Sequence, residues 1–210
     1  MLPRISRALG ASVSLSLSLP FALFAVTPAV VATARSADAA SVLALSLADL
    51  VDRSTHVVVG VAKSKTARWE SGRIVTYTTV VIDTPLAGPS KAGESLTIAT
   101  LGGVVDGIGQ RVDGEAVLPL DKPFVLFARP LPAPPKDKPT AMSVVGLSQG
   151  AMPVVVGADK VARIGDFAIT LHLVPGAGAK EKPASESQPG RALSELSTDV
   201  KARWASLGRK

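Results

Sequence analysis

The sequence predicts a mainly β domain: a small closed or partly open antiparallel barrel with a short helix at its N-terminal end and an amphipathic helix at its C-terminal end. Short β-branched runs at 56–61, 74–82, 94–101, 123–128, 142–147, 152–156, 161–164 and 167–174 recur between glycine and proline breaks, at the spacing of a meander or barrel. Of the 210 residues, 47% are apolar and only 4% aromatic, so the chain has enough apolar mass for a core, and that core must be aliphatic. Leu193, Leu196, Val200, Trp204 and Leu207 recur at three- and four-residue steps, which places them on one stripe of a final helix that must bury against something. The barrel itself is the expected partner; a different protein is the sharper alternative.

Residues 1–40 read as a signal peptide. Arg4 and Arg7 supply the positive start, 8–31 carry no charge, and Ala32-Thr33-Ala34 and Ala37-Asp38-Ala39 each fit the small-x-small cleavage pattern, which puts cleavage within 34–40. The competing reading, a retained membrane anchor, is weakened by Pro20, Pro28 and the serine alternation at 12–18. The expected organisation is leader 1–40, barrel domain 41–175, flexible linker 176–190 and helix 191–210, in a protein exported to the periplasm or medium with no permanent span after cleavage. There is no cysteine, which excludes lipid attachment at a lipobox, disulfides and thiolate metal sites. Cleavage near Ala40 removes three of the 23 basic and one of the 17 acidic residues, leaving a net charge of +4. That mild surplus, without a basic run interleaved with aromatics, gives no reason to expect nucleic acid.

Ser46-Leu47-Ala48-Asp49-Leu50-Val51 carries a capping serine, an acid three residues on, and apolar residues at helical spacing, so a short helix should open the domain. The runs at 56–61 and 74–82 look like a long hairpin across a polar connection, Trp69-Glu70-Ser71-Gly72, with the second strand stopped by Pro85, Gly88 and Pro89. A third strand follows at 94–101. The glycine-rich 102–109 reads as a loop, because glycine there permits positive φ or close backbone approach. Pro123 opens a buried strand at the one position where its missing N–H does not matter. The five prolines at 130–139 make an exposed, extended connection, and the composition of 176–190 cannot offset its ordering entropy, which gives the linker.

Gly146-Leu147-Ser148-Gln149-Gly150 matches the G-x-S-x-G nucleophile elbow, and Asp159 or Asp166 followed by His172 preserves the order of a serine hydrolase triad. The elbow needs a helix behind the serine, whereas 152–157 is a β-branched run with an early proline. A glycine-flanked turn between strands is the preferred reading, and a hydrolase using Ser148, Asp166 and His172 is the alternative. His56 and His172 are the only imidazoles and belong to no metal motif; Asp106, Asp113 and Glu115 lack calcium-loop spacing; Gly107-Ile108-Gly109 completes neither nucleotide fingerprint. No metal or cofactor is therefore expected. Trp69 is either an exposed anchor for a partner or folded back on the sheet.

A short leading helix at 49–51, a His56-Val57-Val58-Val59-Gly60 strand, Trp69 with Gly72-Arg73-Ile74-Val75-Thr76, the pair Gly102-Gly103 and the turn Gln149-Gly150 together resemble a family of uncharacterised exported bacterial proteins. The resemblance covers 47–150 and implies fold and location more than activity. More distantly, the first two strands and the prolines after them are similar to the oligonucleotide-binding-type barrel of netrin-like modules and metalloproteinase inhibitors. Those inhibitors act through an N-terminal cysteine that this chain lacks, so what the likeness implies is a barrel with a binding surface, or an inhibitor or chaperone of an exported protease. The expected function is a non-enzymatic module that binds another exported protein or an envelope component. Its contact surface is the glycine loop with the hairpin tip: Trp69, Arg73, Gly102, Gly103, Asp106 and Arg111.

Overall fold

In a computed structural model of the chain, residues 41–167, 172–176 and 181–209 are described; the expected leader and its cleavage window lie outside them. The elements run β1 (Ser41–Ala44), α1 (Leu47–Asp52), β2 (His56–Glu70), β3 (Arg73–Ala87), β4 (Ser95–Leu101), β5 (Gly103–Val105), β6 (Ile108–Gln110), β7 (Pro123–Pro130), β8 (Met142–Val144), a 3-10 turn (Leu147–Gly150), β9 (Ala151–Val156), β10 (Ala162–Ile164), β11 (His172–Pro175), α2 (Ala184–Ser187) and α3 (Leu193–Ser206).

The mainly β expectation holds, as a partly closed sheet of five strands. The ring runs β2-β3-β4-β8-β7 and back to β2; β4 and β8 meet in parallel at one pair, Ile98 with Met142, and this is the incomplete seam. β7 divides its free edge: Phe124–Leu126 pair with β9 and Ala128–Pro130 with β8, so the sheet forks there and continues outward through β9 to β10. β1 and β11 form a separate parallel pair.

Strand alternation decides which core each residue enters. Val58, Val80, Ile82, Ile98, Phe124, Leu126 and Met142 fill the ring. Val57, Val59, Val125, Phe127, Met152 and Ile164 point outward and are covered by Leu50 and Val51 of α1 and Leu196 and Val200 of α3. Burial on both faces is why 56–61 and 123–128 read as continuous apolar runs.

The two longer helices arise as their residues dictate. In α1 the Ser46 Oγ accepts the Asp49 N–H at 3.1 Å while the Asp49 carboxylate accepts the Ser46 N–H at 3.0 Å, a reciprocal cap. The stripe of α3 lies on its own domain, with Trp204 and Leu207 packed at the margin. Arg203 clamps Asp52 through Nε at 2.7 Å and Nη2 at 2.5 Å, and Arg209 donates to the Ser54 and Asp52 carbonyls.

The Arg203 hydrogen bond, partly opposed by burial, holds the Asp52 carboxyl below its ordinary value of 3.8. A depressed folded pKa contributes stability that is present above the unfolded value and is lost as pH falls through the folded one. The difference in thermal midpoint between wild type and Asp52→Asn should therefore be constant from about pH 5 upward and shrink toward zero in more acid buffer. A difference that grows on acidification would refute the clamp.

Three elements depart from expectation. The first hairpin is longer, and its connection is only Ser71-Gly72, both at positive φ (48 and 79), while Trp69 and Glu70 stay in the ladder opposite Ile74 and Arg73. Pro85 does not end β3, because it lies beside a register shift where Val57 pairs with Ala87 and Val58 with Pro85, and a bulge tolerates a residue without an N–H. Residues 181–190, expected as flexible linker, carry α2: Ala184 is fully buried and donates its N–H to the Leu45 carbonyl at 2.8 Å. Residues 190–192 then lie along β10, exchanging Gly190 N–H to Ile164 O and Ile164 N–H to Arg191 O. Composition counts apolar area, and here one alanine and a run of backbone bonds suffice. Residues 177–180 and 168–171 lie outside the described part.

Candidate functional site

The far half of β2 runs on past β7, while β3 beside it stays paired with β4 over 75–81, and the two faces of this stretch carry different neighbours. On the face of Ala67, Ile74 and Thr76 sits a second hairpin, β5–β6, in the stretch expected to be a loop. Gly102 and Gly103, at φ 93 and 136, bring it in. A Cβ on Gly103 would stand 2.4 Å from the Thr76 Oγ1, so this approach is open to glycine alone. The Thr76 hydroxyl donates to the Gly102 carbonyl at 2.6 Å, and the Gln110 Oε1 accepts the Ile74 N–H at 2.6 Å. The turn is Asp106-Gly107, again with two positive φ values.

Between this hairpin, the sheet and the 110–118 segment opens a cleft of about 670 Å³. Thr76, Thr78 and Thr100 lie in it side by side, on the strand face that fills the ring further in. Thr78 is 1% and Thr100 8% exposed. Lys65 and Arg111 line the cleft as well, with Val104 and Val117 exposed at 67% and 75%. Arg111 holds Asp113 only at 3.5 Å. Burial pushes the Glu115 carboxyl up, opposed by the Leu101 and Ala116 N–H groups.

A second cleft of about 660 Å³ lies at the hairpin tip, lined by Arg68, Trp69, Glu70, Ser71, Arg73, Ala133, Pro135 and Asp137. Trp69 is 47% exposed, so it does not fold away. Arg68 donates to Glu70 at 2.5 Å and grips Asp137 with both terminal nitrogens; its guanidinium lies 4.9 Å over the Tyr77 ring, whose hydroxyl donates to Glu70 at 2.9 Å. These contacts pin the proline-rich connection to the hairpin. They raise the Arg68 pKa and lower that of Asp137. Burial, then the Glu70 hydrogen bond, pushes the Tyr77 hydroxyl up.

The expected surface is thus divided. Gly102, Gly103 and Arg111 belong to the first cleft and Trp69 and Arg73 to the second, while Asp106 stands at the exposed turn of β5–β6. Sequence reasoning missed Thr76, Thr78, Thr100, Arg68 and Asp137, and weighed Glu115 only as a calcium ligand. The i, i+2 step of Thr76 and Thr78 was a readable sign of a polar strand face.

The G-x-S-x-G segment forms the fork of the sheet: β8 enters, the 3-10 turn follows, and β9 leaves without an α-helix. A Cβ on Gly146 would meet the Leu45 side chain at 2.6 Å, and one on Gly150 the Val145 carbonyl at 2.1 Å, so packing demands both glycines. Gln149 is buried and accepts the Leu45 N–H at 2.8 Å while donating to the Leu43 and Gly146 carbonyls. The Ser148 hydroxyl is buried and has no hydrogen-bond partner among the described residues. Asp159 pairs with Arg163, which holds its carboxyl down to about 2. Asp166 is exposed, and the His172 side chain lies outside the described part. An orphaned buried hydroxyl costs stability. Ser148→Ala should therefore leave the thermal midpoint within about 2 °C of wild type, or raise it. A fall of more than about 5 °C would mean that the hydroxyl has a partner.

His56 Nδ1 lies 2.9 Å from the Thr55 hydroxyl, and burial lowers its pKa. Among the described residues no three His, Asp or Glu side chains converge in a way that would hold a metal ion, and no helix is long and apolar enough to cross a membrane. No protein-family model, curated protein or solved structure matches the chain.

Proposed function

We propose that the chain is an exported, non-enzymatic binding module: a barrel of the oligonucleotide-binding type whose open end takes a protein or cell-envelope ligand. The ring order β2-β3-β4-β8-β7, with β4 and β8 parallel, supports the barrel type, since it is the first-second-third-fifth-fourth circuit of a five-stranded Greek key. The second cleft lies between the first-to-second and fourth-to-fifth connections, where such barrels bind. The ligand differs from the nucleic acids of that fold: single strands need successive aromatic platforms, and the aromatics at this end are Trp69 and the buried Tyr77.

The observation that carries the reading is the first cleft, with hydroxyls at its floor and exposed valines beside it, a lining that recognises a surface and offers several polar contacts. Export is supported by the leader-like 1–40. The test is affinity capture from an envelope extract with the exported chain and with a Val104→Asp/Val117→Asp variant. Both side chains are exposed, so the variant keeps its fold, and the same partner should be enriched by wild type and lost by the variant. Equal capture by both, or no enrichment by wild type, would overturn the proposal.

A further inference from the structure

We propose that the first cleft takes a short extended peptide that ends in a free carboxylate and carries small aliphatic side chains, an inference that rests on the binding-module reading above. The cleft volume of about 670 Å³ lies within the roughly 300–1,000 Å³ of small-ligand sites.

The floor has the repeat of an extended chain. Thr76 pairs with Thr100 and Thr78 with Ile98, which makes Thr78 and Thr100 diagonal neighbours on one face. Diagonal neighbours stand about 7 Å apart, and an extended peptide repeats every two residues at about 6.8 Å. Successive same-side carbonyl or N–H groups of one strand therefore match these two hydroxyls.

Both hydroxyls have capacity to spare. Thr78, although almost fully buried, takes part in no side-chain hydrogen bond among the described residues, and Thr100 makes one at 3.4 Å, to the Thr76 carbonyl. A nearly buried hydroxyl that faces a cleft without a partner gains from a ligand that supplies one. Thr76, by contrast, is committed to Gly102.

Charge argues for a free carboxylate on the peptide. Among the described residues Lys65 forms no ion pair and Arg111 has one, with Asp113 at 3.5 Å, and Lys65 pairs with Thr78 across the ladder. These two weakly engaged cations outnumber Glu115, the acid in the same lining, whose charged form burial disfavours, and so the cleft favours a terminal carboxylate. Val104, Val112 and Val117 line the same cleft, which suits alanine or valine side chains better than a sugar, for which a stacking aromatic would serve.

The test is an amide-shift titration of the full chain by NMR with three probes: acetyl-Ala-Val-Val with a free carboxylate, the same peptide as its C-terminal amide, and diacetylchitobiose. The free acid should shift the amides of Thr76, Thr78, Gly103 and Glu115 saturably, and the amide should bind at least about tenfold more weakly. Lys65→Ala, an exposed substitution that leaves the fold intact, should bring the acid to the level of the amide. Thr78→Val should weaken both peptides by about fivefold, because it removes the hydroxyl and keeps the shape. Equal binding of acid and amide, or no peptide-induced shift at these residues, overturns the peptide assignment. If the disaccharide alone shifts them, the peptide assignment falls and the binding-module reading stands; if partner capture also fails, both fall.

Discussion

Gln149→Ala will lower the thermal unfolding midpoint by on the order of 10 °C, the larger of two effects that follow from how β1 and β5–β6 are attached. The Gln149 amide is fully buried and joins the fork of the sheet to the N-terminal strand through the Leu45 N–H and the Leu43 carbonyl. Truncation leaves those backbone groups without partners in a place water does not reach, and each such loss costs about 1–3 kcal/mol. A combined loss of about 3 kcal/mol corresponds to roughly 10 °C for a domain of this size. Gln149→Met separates bonding from packing: it restores the volume but accepts no N–H, so it should recover less than half of the loss. Full recovery by methionine in a circular-dichroism melt would show that the amide only fills space.

The second large effect is at Gly103. Alanine there meets two penalties: a φ of 136, which side-chain-bearing residues avoid, and a Cβ 2.4 Å from the Thr76 hydroxyl. Conformational strain costs about 1–2 kcal/mol and overpacking a similar amount, so the melt should shift down by about 5–10 °C. The more telling result is local. The hairpin has to move off the sheet, which breaks the Thr76-to-Gly102 bond and reshapes the cleft, so partner capture should be lost even well below the melting temperature. Gly107→Ala is the control, because it also sits at positive φ but has nothing within 4 Å of its added Cβ. If it abolishes capture as completely as Gly103→Ala, close approach is not the reason Gly103 is needed.

What was legible in the sequence was what local rules govern. The Ser46/Asp49 cap marks α1 by spacing alone, and the stripe from Leu193 to Leu207 marks α3 and its buried face. The runs at 56–61 and 123–128 were readable as strands, the second as a buried one; the structure adds that both are covered on both faces. The glycine hairpin was not legible, because glycines that serve close approach have the same letters as glycines that serve a loop; only the Thr76 hydroxyl opposite Gly103 tells them apart. The cleft was not legible either. Thr78, Thr100 and Glu115 meet through the register of β3 with β4 and the path of 110–118. The Arg68–Asp137 grip spans 69 positions of chain. The seam of the ring rests on one pair, Ile98 with Met142, which leaves no trace in composition or periodicity.

The outer side of the sheet is covered in part by α1, which precedes its strands, and in part by segments that follow every one of them: residues 190–192 lie along the rim of β10, and Leu196 and Val200 complete the cover of its back. During synthesis the strands therefore emerge with that flank covered by α1 alone, and an uncovered strand rim invites pairing with another molecule. The domain is sealed only when its final helix arrives, so holding the growing chain open until then protects it from its neighbours.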